Sequence, residues 1–560
     1  MGFDFLVPDN WDVEEAQSFC TKVADGTHDS PKKTIEGKLL VTSKNIVGGK
    51  LDLSKSYYIS DDDYQNINRR SKVDVNDVLL SMIGTVGELC VIKEPPEFAI
   101  KNVGLLKNDN EVKARWLYFY LSSPQAQKLI KERLRGTTQQ YLPLGEIRKF
   151  PILRPNSNHV MENLVQILGC LEDKIELNTQ TNQTLEQIAQ AIFKSWFVDF
   201  EPVKAKIAVL EAGLPAPVRI SDGPREGIFC TYVIECDDGS YYIGQTDNLK
   251  RRWREHLSGK GAQWTRTHKP LQIAHFEENS SREEAAAKEK NWKTTSGRRE
   301  LKKLIASGAA RQAGGTAEQA ELAAMSVISA KDEAALKQLQ AEQPDAYAEL
   351  AQTAALFPSA MVDSELGEIP EGWEYKKLKT LCRVINGRAY KNTEFKTSGT
   401  PIVRIQNLSD GGKTVYSDLN LPEDKLIDKE DFIYAWSATF GPYIWRGQKS
   451  IYHYHIWKMD VDEEKVSRYY LYLTMFRKTE AMKSAGTGSI FTHLTKKIME
   501  EQDILVASDA INNVFATKIG SIFKNISLLT DENQNLKSIR DSLLPKLLAG
   551  HLPITNTEVA

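Results

Sequence analysis

The feature that most constrains this chain is a long internal repeat. Residues 7–12 read VPDNWD and residues 369–374 read IPEGWE, and a cysteine follows each tryptophan at the same spacing, at Cys20 and Cys382. Further segments match in the same order: LVTSKNI at 40–46 with IVRIQNL at 402–408, and DVLL at 77–80 with DFIY at 431–434. Short apolar runs separated by Gly and Asn are typical of short strands. The repeat therefore predicts two related domains of mixed strand and helix, and not one common core.

Each copy of the repeat ends in a long helical pattern. Hydrophobic positions recur there at alternating spacings of four and three, which is a heptad seam. The seam positions are Leu164, Leu168, Leu171, Ile175, Asn178, Asn182, Leu185, Ala189, Ile192 and Trp196 in the first copy, and Phe515, Ile519, Ile522, Ile526, Leu529, Asn533, Leu536, Arg540, Leu543 and Leu547 in the second. Asn182 and Asn533 hold equivalent places, where a polar residue lowers stability but can fix the register. The simplest expectation is antiparallel pairing, which would hold the two halves apart. The alternative is that each helix packs on its own domain.

The composition changes between the two halves. A Gly- and Pro-rich stretch at 213–224 indicates a linker, and an Ala-, Gly- and Gln-rich stretch at 305–321 indicates a second one. The segment between them begins with a predicted β-hairpin at 229–244, in which FCTYVIEC and YYIG flank the turn DDGS. A basic helix is predicted at 248–256 and a second helix at 282–293. The two repeated halves are therefore separated by an inserted domain.

Charge and cysteine content narrow the function classes. The formal net charge is -3, whereas a protein that simply coats phosphate backbones is usually basic. Any contact with nucleic acid must therefore come from local patches. No apolar run approaches the roughly 20 residues of a membrane span, and no signal peptide is recognisable. The six cysteines include no C-x-x-C pair, so we expect a cytoplasmic protein without a disulfide framework, zinc site or membrane contact.

Several segments resemble the specificity subunits of Type I restriction-modification systems. DGTHDSP at 25–31, LVTSKNI at 40–46 and DVLLSMIGTVG at 77–87 are similar to their target-recognition domain. DSELGEIPEGW at 363–373 resembles the segment that opens their second half, and the resemblance covers about residues 1–205 and 320–555. It implies two target-recognition domains on an antiparallel helical rod, each of which reads one half of a split double-stranded DNA target.

The same resemblance implies partners and no chemistry for this part of the chain. In such systems methyltransferase (modification) subunits bind S-adenosylmethionine and methylate adenine, and a separate restriction or motor subunit cleaves. The recognition part is therefore expected to be non-catalytic and to have no cofactor-binding residues of its own. Two rigidly spaced readers turn two short sites into one long site, and each wrong base pair then costs ~1–3 kcal/mol.

Side chains suited to reading bases occur in the matching segments of the two halves. The candidates are Lys44, Asn45, Arg404, Gln406 and Asn407, with His28 in a turn of the first half. Arg and Lys suit guanine, whereas Asn and Gln suit adenine. The alternative for each residue is a loop-capping role, in which the side chain bonds to its own turn. The loop at 386–390 differs from its counterpart in the first half, as expected if the two halves read different half-sites.

The insert resembles the GIY-YIG nuclease family, in its small single-domain branch. Tyr232 takes the first tyrosine position, and Tyr242 begins an intact second motif, YIG. GKGAQWTR at 259–266 is similar to the next loop of that branch. The first motif departs from the family, because Cys230 and Thr231 replace its Gly and Ile.

The resemblance assigns roles to further residues of the insert. Arg252 and His256 share one face of the predicted helix, where Arg252 can clamp a phosphate. Glu289 falls where the family keeps its metal-binding glutamate, and a carboxylate suits Mg²⁺. Tyr232 and Tyr242 can relay a proton if an arginine or a metal ion stabilises the deprotonated form of one phenol. The insert is therefore expected to be a Mg²⁺-dependent endonuclease. The alternative is an inert domain, with strand tyrosines and a solvated charged face, that only adds DNA or partner contacts.

The sequence thus predicts a mixed α/β, multidomain protein. Its expected parts are target-recognition domain 1 at 1–155, a long helix at 156–205, a linker at 206–225, a small α/β GIY-YIG domain at 226–307, a linker and helical spacer at 308–362, target-recognition domain 2 at 363–508 and a second long helix at 509–550. The expected function is recognition of a bipartite DNA target, with an embedded nuclease. A scaffold protein whose rod only joins partners is a rival that explains the two different tips less well.

Overall fold

The computed structural model describes residues 7–8, 10–137, 139–211, 229–309, 316–408, 413–437, 440–484 and 494–548. Within these ranges the chain is a mixed α/β, multidomain protein, as predicted. All six cysteines are free thiols. In the ranges given, no helix has the length and apolar character that crossing a membrane requires.

The first half contains a four-stranded antiparallel sheet and a three-stranded mixed sheet. Its strands are β1 (Trp11–Glu15), β2 (Lys22–Asp25), β3 (Lys38–Thr42), β4 (Ile46–Val47), β5 (Lys50–Leu51), β6 (Tyr57–Ile59), β7 (Val78–Ser81), β8 (Leu89–Val91), β9 (Phe98–Lys101), β10 (Val103–Lys107) and β11 (Pro151–Pro155). Its helices are α1 (Ala16–Phe19), α2 (Asp61–Ser71), α3 (Glu111–Ser122), α4 (Pro124–Glu132) and α5 (Leu144–Arg148). The sheet orders are β2-β10-β7-β8 and β6-β3-β9, and β3 and β9 run parallel.

Two helices and the insert follow the first half. Helices α6 (Asn158–Phe197) and α7 (Glu201–Glu211) precede the insert, which comprises β12 (Phe229–Cys236), β13 (Tyr241–Thr246), α8 (Leu249–Leu257), α9 (Gln263–Thr267), β14 (Pro270–Asn279), α10 (Arg282–Trp292) and α11 (Thr295–Ala309). Three helices lead out of it, α12 (Ala317–Ser329), α13 (Glu333–Glu342) and α14 (Pro344–Leu356). The hairpin β12–β13 and the helices α8 and α10 lie where the sequence predicted them.

The second half repeats the sheets of the first. Its strands are β15 (Met361–Ser364), β16 (Gly367–Pro370), β17 (Glu374–Lys377), β18 (Cys382–Asn386), β19 (Thr400–Val403), β20 (Val415–Ser417), β21 (Leu426–Ile427), β22 (Phe432–Ala435), β23 (Gly441–Ile444), β24 (Ser450–Tyr452), β25 (Ile456–Val461) and β26 (Asp503–Val506), and its helices are α15 (Arg468–Ser484), α16 (Lys496–Glu500) and α17 (Asp509–Leu548). The order β18-β25-β22-β23 reproduces β2-β10-β7-β8. The second mixed sheet has the order β20-β19-β24-β21, and β19 and β24 run parallel in it.

The two long helices α6 and α17 pair antiparallel. The amino-terminal part of α6, with Leu164 and Leu168, shares the first half's core with Leu544 and Leu547 from the end of α17. The end of α6, at 193–197, shares the second half's core with the start of α17. Each half is thus closed by the start of its own helix and by the end of the other. The predicted rod is confirmed, and packing of each helix on its own domain alone is excluded.

A polar layer lies in the middle of the rod. Asn178 Nδ2 donates to Asn533 Oδ1 at 3.0 Å, whereas Asn182 Nδ2 donates to Thr530 Oγ1 at 3.3 Å. Asn533 Nδ2 in turn donates to Thr179 Oγ1 at 3.3 Å. Asn182 and Asn533, which are equivalent in sequence, therefore do not pair with each other. When two helices of a repeat pair antiparallel, equivalent residues lie opposite each other only at the midpoint of the pair. Elsewhere, each residue faces a different position of the partner helix.

Helix α7 extends into the stretch that was predicted as a linker from residue 206. It continues to Glu211, because Val203 and Lys206 are buried against the helices that follow the insert. Lys206 Nζ donates to the Phe357 carbonyl at 2.7 Å. The Gly- and Pro-rich stretch at 213–224 lies outside the described residues.

Candidate functional site

The two tyrosines of the insert lie on adjacent antiparallel strands. Tyr232 on β12 pairs with Gly244 on β13. A Cβ atom added at Gly244 would lie 2.6 Å from the Tyr232 hydroxyl oxygen, so only glycine permits this approach. The centroids of the Tyr232 and Tyr242 rings lie 6.2 Å apart. The hairpin therefore brings both tyrosines to one place.

Helix α8 brings Arg252 and His256 to the Tyr232 hydroxyl. The Asn248 side chain caps the first turn of the helix. One turn apart on the helix, Arg252 Nε donates to Tyr232 Oη at 3.3 Å, and His256 Nε2 lies 2.9 Å from the same oxygen. Tyr232 and His256 are each 1% exposed. The ring centroids of Tyr242 and His256 are 5.0 Å apart, so all four predicted residues form one cluster.

The hydrogen bonds of His256 define which of its nitrogens carries the proton. The Thr265 hydroxyl donates to the Ala262 carbonyl at 3.0 Å and thus accepts from His256 Nδ1 at 2.6 Å. With the Thr265 proton assigned to the Ala262 carbonyl, Nδ1 carries the imidazole proton and Nε2 accepts from the Tyr232 hydroxyl. Burial, reinforced by the charge of Arg252, lowers the pKa of His256 to about 4. Burial, followed by the effect of Tyr242, raises the pKa of Tyr232. At neutral pH a neutral phenol thus donates to a neutral imidazole.

A carboxylate of the same helix anchors Arg252. Glu255 Oε2 accepts from Arg252 Nη1 at 2.6 Å, and Glu255 Oε1 accepts from Arg251 Nη1 at 2.9 Å. The Arg252 side chain is still 29% exposed. Its guanidinium is therefore held in place and remains open to an approaching phosphate, which it can bind in a bidentate way.

Glu289 lies on α10 and is not part of the hydrogen-bonded cluster around Tyr232. Its carboxylate pairs with Lys293 one turn further on, and its side chain is 20% exposed. Among the described residues, no group of three or more His, Cys, Asp or Glu side chains is arranged to hold a metal ion. Glu289 is therefore a single candidate carboxylate.

The altered first motif links α10 to the strand of Tyr232. Cys230 and Thr231 are both fully buried. The Thr231 hydroxyl donates to the carbonyl of Ala285, one turn before Glu289, at 3.0 Å. It also accepts from Asn279 Nδ2 at 3.1 Å. The threonine that departs from the family pattern thus ties the helix of Glu289 to β12.

The base-reading candidates of the first half differ in their access to a ligand. Lys44 is exposed at the end of β3. Asn45 is fully buried, and its Oδ1 accepts from the Thr42 amide at 2.7 Å. Its Nδ2 donates to the Asp52 carbonyl at 2.9 Å and to Ser56 Oγ at 3.0 Å. A buried amide with these partners cannot reach a base, so Asn45 caps its loop.

His28 bridges two polar neighbours although its side chain is 63% exposed. Its Nε2 lies 3.0 Å from Asp25 Oδ2, and its Nδ1 lies 2.8 Å from Asn102 Oδ1. Both ring nitrogens are therefore engaged within the first half, which favours the loop-bound alternative for this residue.

The second half repeats the arrangement around residue 45. Asn407 Oδ1 accepts from the Arg404 amide at 3.0 Å, which is the same cap. Arg404 Nη2 donates to the Lys413 carbonyl at 2.6 Å, and the guanidinium lies 5.7 Å from the centre of the Phe395 ring. Gln406, at the position equivalent to Lys44, is exposed. In both halves, therefore, the asparagine caps its loop and the residue before it is exposed.

Sequence reasoning did not single out Thr265, Glu255 or Gly261. Thr265 orients His256, and Glu255 anchors Arg252. A Cβ atom added at Gly261 would lie 2.5 Å from His256 Nδ1, so the loop can pass the ring only with glycine there. Gly261 and Thr265 lie in the segment 259–266, which resembles the family, and Glu255 lies next to His256 in the predicted helix at 248–256. Nothing in their spacing, however, assigns them a partner.

Comparisons with known proteins agree with both resemblances. The family model for the Type I restriction modification DNA specificity domain matches residues 8–187 and 370–538, and the model for the GIY-YIG catalytic domain matches residues 228–303. The Type I restriction enzyme HindI specificity subunit of Haemophilus influenzae is 28% identical over 464 residues, which are 80% of this chain and 79% of that protein. A UPF0213 protein of Streptococcus pneumoniae is 48% identical over 58 residues, which are 10% of this chain and 59% of that protein. The solved S subunit of a Type-I restriction-modification system from M. genitalium aligns with 99% of this chain and 98% of its own, at 11% identity and a TM-score of 0.40.

Proposed function

The chain belongs to the family of Type I restriction-modification DNA specificity subunits, and we propose that its two halves read the two parts of one split duplex target. The pairing of α6 with α17 carries this proposal. Each helix has 40 residues and therefore extends about 60 Å, at 1.5 Å per residue. Because each half is closed by both helices, a stiff rod holds the two related but different readers at a fixed spacing.

Methyltransferase subunits are the expected partners of this chain, and S-adenosylmethionine belongs on them. The relative from Haemophilus influenzae is by its name a specificity subunit of a restriction enzyme, and the chain spans 79% of it. A restriction or motor subunit is a further expected partner. The expected location of such a complex is the cytoplasm.

For the insert we propose metal-dependent hydrolysis of DNA phosphodiester bonds. The hydrogen-bonded series Tyr232–His256–Thr265 supports it. As water attacks phosphorus, the bond from phosphorus to the leaving sugar oxygen breaks, and that oxygen takes a proton from solvent. One proton of the attacking water passes to the half-buried Tyr242 hydroxyl, which interacts with Tyr232. The Tyr242 proton passes to Tyr232 Oη, and the Tyr232 proton passes to His256 Nε2. The bond from Nδ1 to Thr265 holds the imidazole in the tautomer that can accept. Arg252 Nε stabilises negative charge on the phenol oxygen, and its exposed guanidinium is suited to the phosphate.

Glu289 is the residue that would hold Mg²⁺. One carboxylate, completed by water and substrate phosphate oxygens, is an ordinary arrangement for this ion. The side chain is a fifth exposed and pairs with Lys293, so the ion would compete with an ammonium group that can move away. When bound, the ion would neutralise the charge that develops on the phosphate oxygens.

Plasmid cleavage tests the nuclease. The full chain is incubated with Mg²⁺ and supercoiled plasmid, with and without its methyltransferase partner. Cleavage should vanish in His256→Ala and Glu289→Ala. It should persist in His268→Ala, which removes a histidine that stacks on Trp264 away from the relay. Cutting that survives in His256→Ala would refute the relay. No cutting in any combination would favour the alternative, an inert insert that adds DNA or partner contacts.

A further inference from the structure

In each half, two parallel strands end at the same edge of the mixed sheet. Strand β3 pairs with β9 in the first half, and β19 pairs with β24 in the second, with Val403 opposite Tyr452. The carboxyl ends of parallel strands are a recurrent place for ligands in α/β sheets. The segments that carry Lys44 and Gln406 start at this edge.

The segments that follow the parallel strands at this edge differ between the two halves. In the first half, Lys101 at the end of β9 and Asn102 lead into β10; in the second, residues 453–455 (HYH) connect β24 to β25. The connections are equivalent, because Lys101 bridges to Thr27 as His453 bridges to Arg388. The second half thus has one residue more here, and it has rings where the first half has an ammonium group and an amide.

The rings of the second half form one contiguous group, which we call the imidazole-aromatic patch: Trp436, His453, Tyr454 and His455. The Tyr454 and His455 centroids are 3.9 Å apart, and those of Trp436 and His455 are 5.1 Å apart. Trp436 Nε1 donates to the Tyr454 carbonyl at 2.9 Å, which fixes the connection against β22. Tyr454 remains 40% exposed. The patch is therefore rigid and still accessible.

Donors without partners surround the patch. Arg388 Nη1, Arg404 Nε and Tyr390 Oη are buried and have no hydrogen-bond partner among the described residues. Arg388 lies 5.0 Å from the Tyr390 ring centre, and the Tyr390 ring stacks on His453 at 6.3 Å. Arg388 and Arg404 are each held by a bond from Nη2, to Glu394 Oε1 and to the Lys413 carbonyl, both at 2.6 Å, and the Arg388 side chain is 37% exposed. Each guanidinium therefore keeps further N–H donors for a ligand with acceptors. Base edges and phosphates offer such acceptors.

We propose that the imidazole-aromatic patch reads the base edges of the second half-site, with Arg388 and Arg404 donating to acceptors of the DNA. The proposal rests on the proposed function of the two halves as DNA readers. Burial lowers the pKa of His453 and of His455, so both rings are neutral at pH 7 and suit base edges better than phosphate. Lys101 and Asn102 occupy the same place in the first half, so the two half-sites differ in sequence.

Selection from a random duplex DNA library tests the proposal. The full chain, assembled with its methyltransferase partner, is used to enrich bound sequences. Tyr454→Ala should relax the preference at one or more base pairs of one half-site and lower affinity for the original target by roughly 5- to 150-fold. The other half-site should be unchanged, which also shows that the complex is folded. Leu366→Ala, an exposed apolar residue of the second half between β15 and β16, is the matched control and should enrich the wild-type motif.

An exchange variant sharpens the test. His453→Lys with Tyr454→Asn places the first half's pair of side chains in the second half, and it should select a new second half-site. If Tyr454→Ala and the exchange variant both still enrich the split wild-type motif, the inference alone is overturned. Loss of both half-sites in Tyr454→Ala would overturn it as well, because the patch belongs to one half only. A wild-type complex that enriches no split motif would overturn the proposed function together with the inference.

Discussion

Replacing Thr265 with valine tests the proposed proton relay at the residue that sequence reasoning missed. Valine keeps the shape of threonine but removes the oxygen that accepts from His256 Nδ1 at 2.6 Å. His256 is 1% exposed, so water cannot take the place of that oxygen. A buried N–H without a partner costs about 1–3 kcal/mol. The tautomer that accepts the Tyr232 proton is therefore disfavoured by roughly 5- to 150-fold, because RT is about 0.6 kcal/mol.

Two measurements follow this tautomer. The rate of plasmid cleavage at saturating DNA should fall by up to the same factor, with DNA affinity unchanged. In protein labelled with ¹⁵N-histidine, the His256 signal should move from the Nδ1–H form toward the Nε2–H form, and this readout does not require cleavage. Thr267→Val is the matched control, because that hydroxyl, in the same helix, donates to the Trp264 carbonyl at 2.9 Å. An unchanged tautomer in Thr265→Val, or an equal loss in Thr267→Val, would refute the reasoning.

The same geometry predicts effects of pH, packing and helix pairing on stability. The pKa of an unfolded histidine is near 6.5, whereas the folded pKa of His256 is lowered to about 4. The stability that neutral His256 contributes is therefore full above pH 6.5 and is lost as the pH falls toward 4. Acid unfolding followed by tryptophan fluorescence should show this loss of stability, and the loss should be smaller in His256→Gln. Gly261→Ala should destabilise the insert by about 1–3 kcal/mol and so lower its melting temperature, since the new Cβ would lie 2.5 Å from His256 Nδ1. A wild-type melting curve would contradict the packing. Asn178→Leu or Asn533→Leu alone should each cost about 0.5–1.5 kcal/mol in urea unfolding, because the remaining amide loses one of its hydrogen bonds. The double variant should cost less than the sum of the two single variants. Strictly additive losses would show that the two amides are not coupled.

Features that depend on local periodicity were predictable from the sequence. The heptad seams predicted α6 and α17, and the alternation around DDGS predicted the hairpin of β12 and β13. The order of matching segments predicted two halves with the same sheets. In each case neighbouring residues along the chain carry the whole signal, because backbone geometry sets the helix and strand periods.

Partners across the fold were not predictable in the same way. Asn182 and Asn533 hold equivalent places in the two seams, but the sequence did not give their partners: the Asn533 amide oxygen accepts from Asn178, and the Asn182 amide donates to Thr530. Asn45 was a base-reading candidate, but its amide is consumed by its own loop. Thr265 lies in a segment that resembles the family, but the sequence assigns it no partner. In the structure its hydroxyl lies 2.6 Å from His256 Nδ1.

By itself the sequence determined that two related mixed domains, two long helices and one inserted hairpin domain occur in this order, and which residue types the insert offers for chemistry. Only the tertiary structure decided that the helices exchange their ends between the halves, that the phenol, imidazole and threonine hydroxyl form one series, and that two unlike connections occupy the same sheet edge. The reason is that periodicity is a property of consecutive residues. Hydrogen-bond partners and burial depend instead on distances between segments that lie far apart along the chain, and packing alone sets those distances.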